Sequence, residues 1–270
     1  AFIKKIYHKI KKQHEWWYQY RDHDKDGICE YGSTDGTLIA AKWESGMDNA
    51  VRFDDTNLLT NSKNAFSMDQ ESVDLNSFLY AEKLYLKKMA QILKIQSDGN
   101  LFGRQADSLK KQIRNQFYSN EDDWFYDTSL DGDLFIKVKG SEGWIPLWAG
   151  IASKAEAKNL LKTMMDNSAF NTHVPLQTLD ASSEKFKPEG GYWRGPTWID
   201  QSYFGITGLK KYGYDKQATE LTKKLIYNAD GVTKKGSAIR ENYNPITGEG
   251  LEAYNFSWSA AHYLLLLLNE

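Results

Sequence analysis

Apolar residues recur every three or four positions in about eight separate blocks. This period constrains the chain more than any other feature, because it commits the core to packed helix faces. Residues 2 to 20 place Phe2, Ile3, Ile6, Tyr7, Ile10, His14 and Trp17 on one face, with Lys4, Lys5, Lys11 and Lys12 between them. From Ser72 onward, Leu75, Phe78, Leu79, Tyr85, Leu86, Met89 and Leu93 share a second face. Ser97-Asp98-Gly99-Asn100 reads as a break, after which Phe102, Ala106, Leu109, Ile113 and Phe117 continue the pattern. Further helices are predicted over 141–152, 153–166, 197–212, 214–229 and 255–269. Alternation of the strand kind is confined to Trp124 to Asp127 and Leu134 to Lys139, joined by Asp131-Gly132-Asp133. The expected architecture is therefore all-α, in one domain, with short β-hairpins decorating its loops. The unusual residues collect in 21–57, 120–145, 170–197 and 231–255, so a helical scaffold presents a loop-borne site.

Composition removes several classes of function. Lys plus Arg number 34 against 36 Asp plus Glu, a net charge of −2, so no basic excess exists to neutralise a nucleic acid or an anionic membrane. The longest apolar run, Ala260 to Leu268, contains His262 and falls far short of the roughly 18 residues a membrane span needs. One cysteine, Cys29, excludes an internal disulfide framework and a multi-cysteine zinc site. The five histidines show no His-Glu-x-x-His spacing, and there is no Gly-x-Ser-x-Gly elbow, phosphate-binding loop or dinucleotide fingerprint. Nine Trp, 16 Tyr and 12 Phe exceed what a core readily uses, and such side chains stack on flat or ring-shaped ligands, sugars included.

Four loop segments could carry chemistry. In Asp22-His23-Asp24-Lys25-Asp26-Gly27-Ile28-Cys29-Glu30, carboxylates stand at relative positions 1, 3, 5 and 9 with glycine at 6, a pattern that wraps oxygens around a hard cation. The Ile28 carbonyl would add a ligand. Position 12, usually a bidentate Glu, is Ser33, so the closing carboxylate is Glu30 or a distant residue; the alternative is a solvated Asp-rich turn. Trp43-Glu44-Ser45-Gly46-Met47-Asp48 and the residues to Asp55 lack helical or strand periodicity, and form either a polar surface loop or a pocket wall with an acid–base carboxylate. In Tyr192-Trp193-Arg194-Gly195-Pro196-Thr197-Trp198, two indoles flank a guanidinium that could clamp a sugar ring, unless both pack under a helix N-terminus. Glu241, in Arg240-Glu241-Asn242-Tyr243-Asn244-Pro245, is either functional or an exposed loop glutamate. Paired carboxylates in an aromatic-rich cleft suit glycoside hydrolysis, which needs an acid at the leaving oxygen and a base or nucleophile opposite.

The segments WESGMDNAVRFDD, QESVD, YWRGPTWIDQ, RENYNPITGE and NFSWSAAH, in this order, resemble glycoside hydrolase family 63, especially its bacterial α-glucosidases of the YgjK type. RDHDKDGICEYG, EGWIPLWAG and NTHVPLQTL extend the resemblance over the chain from about residue 14. It implies an (α/α)6 barrel and an inverting exo-acting mechanism on α-linked glucosides or oligosaccharides, with Asp48 as general acid and Glu241 as general base. Such a pair lies roughly 6.5–9.5 Å apart so that a water fits between base and anomeric carbon. The resemblance also implies calcium as a structural cofactor, with Glu71 joining Asp22, Asp24, Asp26, the Ile28 carbonyl and Glu30. Trp43, Glu44, Trp193, Arg194, Trp198 and Trp258 are the candidate sugar contacts. The family barrel has twelve helices against the eight readable here, so the chain is expected to be incomplete at its N-terminus, with the preceding part of the same protein as a partner. Trehalases and mannosylglycerate hydrolases share the looser Glu-Ser-Gly-x-Asp and Glu-x-Tyr elements, so either substrate is an alternative. So is a calcium-stabilised, non-catalytic carbohydrate-binding module. An α-toroid of the terpene-cyclase kind ranks last, because no Asp-Asp-x-x-Asp motif occurs.

Overall fold

The structure is a computed structural model that describes residues 2–233 and 236–268. Among these residues it contains nine α-helices: α1 (Phe2–Tyr20), α2 (Leu38–Glu44), α3 (Val73–Ile92), α4 (Gln96–Phe117), α5 (Ile145–Ala149), α6 (Lys154–Met164), α7 (Ile199–Lys211), α8 (Asp215–Asn228) and α9 (Ser257–Leu268). Eight follow the periodic blocks. The ninth, α2, lies where only a loop was expected. Residue 269, to which the last block extended, lies outside the described residues. No helix among the described residues is long and apolar enough to cross a membrane.

The chain divides into two compact units. Unit 1 comprises residues 1–48, 55–119 and 125–137. Its core joins α1, α3 and α4 through buried Tyr7, Leu86, Ala90 and Phe102, with Ile10, Met89, Leu93 and Ile95 packed around them. The expected break at residues 97–100 is displaced: these residues belong to α4, and the chain turns at Leu93–Ile95, where Lys94 takes a left-handed φ of 59°. Burial of Gly99 and Gly103 within α4 outweighs their poor intrinsic helix propensity. The hydroxyl oxygen of Thr37 starts α2 by accepting the Ala40 N–H at 3.3 Å. Two three-stranded antiparallel sheets complete the unit, one with Ala65–Met68 between Gly32–Ser33 and Leu58–Ser62, the other with Asp127–Ser129 between Gln70–Glu71 and Phe135–Ile136. The second contains a hairpin about Asp131-Gly132-Asp133, but its first strand is Asp127–Ser129 rather than Trp124 to Asp127, and Trp124–Phe125 belongs to a separate two-stranded sheet.

Unit 2 comprises residues 49–54, 120–124 and 138–270, and α7 is its hub, packed on α5, α8 and α9. Gly208 permits the close approach of α5, since a Cβ there would stand 2.9 Å from the Leu147 side chain. Trp124 stacks on Phe170 at 5.4 Å between ring centroids, and Trp144 meets Phe170 edge-on at 5.1 Å. The Trp144 indole N–H donates to the Gln201 carbonyl at 3.0 Å, so the ring's one polar group is satisfied inside α7. A reciprocal capping box between Ser153 and Glu156 opens α6. Proline near the start and a left-handed Gly150 after the end confine α5 to five residues. The hairpin Arg240–Tyr243 with Gly250–Tyr254 carries Glu241, and a bulge between Leu251 and Tyr254 coincides with a left-handed Glu252 at φ 56°.

Candidate functional site

In unit 1 the Asp-rich loop is held from both ends. Arg21 accepts the Glu30 N–H through its carbonyl at 2.7 Å, closing the loop's neck. Asn76 of α3 grips Cys29 by accepting its N–H and donating to its carbonyl, both at 2.9 Å. Gly27 supplies the turn with φ 94°. Glu71 enters from the strand Gln70–Glu71, whose partner strand also anchors α3: the Asp127 carboxylate accepts the Val73 N–H at 2.8 Å.

Carboxylate oxygens of Asp22, Asp24 and Asp26 come within 4.8 Å of one another, as do those of Asp24, Glu30 and Glu71, so Asp24 joins the two sets. Glu30 and Glu71 are fully buried and Asp22 nearly so, yet Asp22 Oδ1, Glu30 Oε1 and Glu71 Oε1 have no hydrogen-bond partner. A buried carboxylate oxygen without a donor is costly. Burial pushes the Glu30 and Glu71 carboxyls up to about 9, with the neighbouring aspartates adding to the shift. A hard divalent cation among these oxygens would remove both penalties, and the all-oxygen donor set suits calcium. Ile28 is buried in this loop, its N–H donated to Asp26 Oδ1 at 2.7 Å.

Glu44, at the end of α2, is engaged by its own unit. Arg21 Nε and Nη2 donate to its two oxygens at 2.7 Å each, and the Gly32 N–H donates to Oε2 at 2.7 Å. This bidentate pair sits beneath Trp16, whose ring lies 4.7 Å from the guanidinium carbon. Through these bonds Glu44, a candidate sugar contact, braces the turn that leads to Asp48. Asp48 is half-buried, and Trp43 is 59% exposed, leaving its ring open.

In unit 2 the segment beginning with Asn49, the residue after Asp48, is pinned to the Gly191–Arg194 loop. Asn49 Nδ2 donates to the Gly191 carbonyl at 3.1 Å, its Oδ1 accepts the Trp193 N–H at 3.0 Å, and its carbonyl accepts from Arg194 Nη1 at 3.3 Å. Arg194 also forms a fork with Asp54, at 2.6 and 2.8 Å, and Lys185 adds a third contact to Asp54 at 2.7 Å. The Arg194 hydrogen bond, with Lys185 behind it, holds the Asp54 carboxyl down at about 2. Arg194, a candidate sugar contact, thus fastens this loop through its fork to Asp54.

Trp193 and Trp198 stack face to face at 3.8 Å with an interplanar angle of 10°, and both are 2% exposed. Two of the expected sugar platforms therefore cover one another. Tyr192 meets Trp198 edge-on at 5.1 Å, and the Trp258 ring, 40% exposed, lies 5.7 Å from that of Trp198. Beside this stack stands Glu241, half-buried, with Oε1 accepting from the Tyr192 hydroxyl and Oε2 from the Ala253 N–H, each at 3.2 Å. Its own carbonyl accepts from Ser259 Oγ at 2.8 Å, tying the hairpin to α9. Among the described residues no cation pairs with Glu241, so the carboxylate is oriented by neutral donors.

Sequence reasoning missed Tyr192 as the orienting partner, Asn49 and Asp54 as the anchors, and Asp200 in the first turn of α7. Asp200 is 5% exposed, and burial raises its carboxyl to about 6. Its place in YWRGPTWIDQ was the one available signal.

A family model described as the mannosylglycerate hydrolase MGH1-like glycoside hydrolase domain matches residues 1–259. The mannosylglycerate hydrolase of Thermus thermophilus is 24% identical over 299 residues, an alignment that covers 95% of this chain and 68% of that protein. The mannosyl-oligosaccharide glucosidase of Saccharomyces cerevisiae is 21% identical over 295 residues, covering 96% of this chain and 34% of that one. Among solved structures, a GH63 mannosylglycerate hydrolase from Thermus thermophilus in complex with glucose matches with a TM-score of 0.79 at 23% identity, covering 99% of this chain and 69% of its own. The fold class is therefore the all-α class of (α/α)6 barrels, with small sheets in the loops.

Proposed function

The chain belongs to the mannosylglycerate hydrolase MGH1-like glycoside hydrolase family, and on that premise we propose that it hydrolyses a small glycoside with inversion, Asp48 acting as general acid and Glu241 as general base. The observation that carries this reading is the setting of Glu241. A carboxylate oriented by Tyr192 and the Ala253 N–H, unpaired with any cation among the described residues and set beside an aromatic stack, suits activation of a water against an anomeric carbon. Asp48 would protonate the leaving oxygen, and the Asn49 anchor supports a fixed backbone beside it. Trp43 and Trp258, whose rings are accessible, are the sugar contacts in this reading, while Glu44 and Arg194 hold the loops.

Mannosylglycerate is the first substrate to test, supported by the family description and by the Thermus thermophilus relative. The α-linked glucosides suggested by the YgjK-type resemblance come second, supported by the yeast glucosidase, and trehalose third. In the same reading Asp22, Asp24, Asp26, Glu30, Glu71 and the Ile28 carbonyl hold a structural calcium ion. Its role would be to neutralise the buried oxygens and brace the loop against α3.

A proton NMR time course with mannosylglycerate, α-linked glucose disaccharides and trehalose tests the proposal. The expected result is early release of the sugar anomer opposite to that of the substrate, lost in Glu241→Gln. Release of the same anomer first would overturn inversion, and a folded protein that binds sugar without turnover would support the binding module instead.

A further inference from the structure

A second constellation, within unit 1, joins Lys83 of α3 to His14 and Tyr18 of α1. Lys83 is 4% exposed and His14 2%, yet both line a cavity of about 330 Å³ together with Tyr18, Phe102, Gln105 and Ser108. Lys83 Nζ lies 3.0 Å from His14 Nε2, and His14 Nδ1 lies 2.7 Å from Glu82 Oε2. An ammonium group only donates, so Nε2 must accept, which puts the imidazole proton on Nδ1 and directs it at Glu82. The order carboxylate, imidazole, nucleophile is that of an activated hydrolase serine, with an amine in the serine's place. The Tyr18 ring lies 4.0 Å from Nζ, and the Tyr18 hydroxyl is buried without a hydrogen-bond partner.

We propose that Lys83 is a carbonyl-reactive amine and that this cavity takes up short hydroxyaldehydes, which Lys83 holds as an imine. His14 first accepts one proton from the ammonium and rests, as imidazolium, on Glu82. The freed Nζ lone pair then bonds to the aldehyde carbon while the C=O π pair moves to oxygen. A second nitrogen proton passes to that oxygen, and the His14 proton completes the water that leaves as the C–O bond breaks. What remains is a protonated C=N with one N–H for His14 Nε2 and its charge over the Tyr18 face, and no oxidant or reductant is consumed. The hydroxyls of the bound chain would meet Ser108 and Gln105 in a volume suited to a small ligand.

The electrostatic setting agrees. The charged and titratable groups facing Lys83 are His14, Tyr18 and Glu15 from α1, Glu82 from its own helix and Cys29 from the Asp-rich loop. Burial brings the Lys83 amine down to about 8 and also lowers His14, so the imidazole is neutral and able to accept. Neither Asp48 nor Glu241 takes part, so the proposal stands apart from the hydrolytic one.

The test is reductive trapping on the intact chain, with glyceraldehyde and cyanoborohydride at pH 7.5, read by peptide mass. Lys83 is expected to label at least about tenfold faster than the exposed Lys4, Lys5 and Lys12, with a rate that rises to a plateau through pH 8. His14→Gln should slow Lys83 about tenfold and leave those lysines unchanged. Labelling of Lys83 no faster than the surface lysines, in the folded wild type, would overturn the proposal whether or not the variant folds.

Discussion

The Asp-rich loop of unit 1 and the Trp193–Trp198 loop of unit 2 both gather carboxylates, but they dispose of the charge in opposite ways. In unit 2, Asp54 is neutralised by Arg194 and Lys185, and Glu241 is steered by Tyr192 and a backbone N–H. In unit 1, three buried carboxylate oxygens face no donor at all. A loop whose polar atoms are satisfied by protein is organised before any ligand arrives. A loop whose atoms are not satisfied needs a ligand to be at its most stable. On the proposed function the contrast separates a place for chemistry from a place for a cation, and it can be attacked from either side.

The largest effect should come from the reacting groups. Glu241→Gln and Asp48→Asn are each expected to lower kcat by about 10²–10⁴-fold, with Tm nearly unchanged. Steady-state kinetics beside thermal melts would check this, and near-wild-type turnover in either variant would remove its assigned role. The next effect belongs to unit 1. Calcium at about a hundred times its dissociation constant stabilises by about 2.7 kcal/mol, so chelation should lower Tm by several degrees. Glu71→Gln should abolish most of that difference, and a melt indifferent to both chelator and calcium would break the comparison. Third comes the fastening of unit 2. Asp54→Asn leaves the Arg194 fork without its anion and is expected to cost about 1–2 kcal/mol in denaturant titrations, with kcat reduced less than tenfold.

These two loops also divide what could be read from sequence. The Asp-x-Asp-x-Asp-Gly spacing is local chemistry, so the ligands proposed for calcium in this loop stand within nine residues, whereas the proposed Glu71 lies far along the chain and was reachable only through resemblance. The same holds for the helices. The strong faces of α1 and α3 were legible, but α2, seven residues with an exposed Trp43, has no sustained period. Gly99 and Asn100 looked like a break because the burial of Gly99 and Gly103 that keeps this stretch of α4 helical is tertiary. In unit 2 the flanking indoles suggested a sugar clamp, yet Trp193 and Trp198 stack on each other and Arg194 finds Asp54 at a separation of 140 residues. Such partners have no local signature. Tyr192 and Glu241, 49 residues apart, are a second case.

The smallest effect sharpens the comparison most, because it asks whether Asp54 is as firmly paired as its distances imply. Its carboxyl is held at about 2 against an ordinary 3.8, chiefly by the Arg194 hydrogen bond. A depressed carboxyl contributes stability that is present above the unfolded value and lost as pH falls toward the folded one. The stability gap between wild type and Asp54→Asn should therefore be constant from pH 7 to about 5, then shrink from about pH 4 toward pH 2. The side chains of Asp54 and Arg194 are 24% and 21% exposed, so solvent screening keeps the pH-dependent part to about 1–2 kcal/mol. Denaturant midpoints at pH 6, 4 and 3 would resolve it. A gap that persists undiminished at pH 3 would mean that the variant loses packing or loop geometry rather than charge pairing. The satisfied carboxylates of unit 2 would then owe their order to shape, and electrostatics would no longer distinguish the two loops.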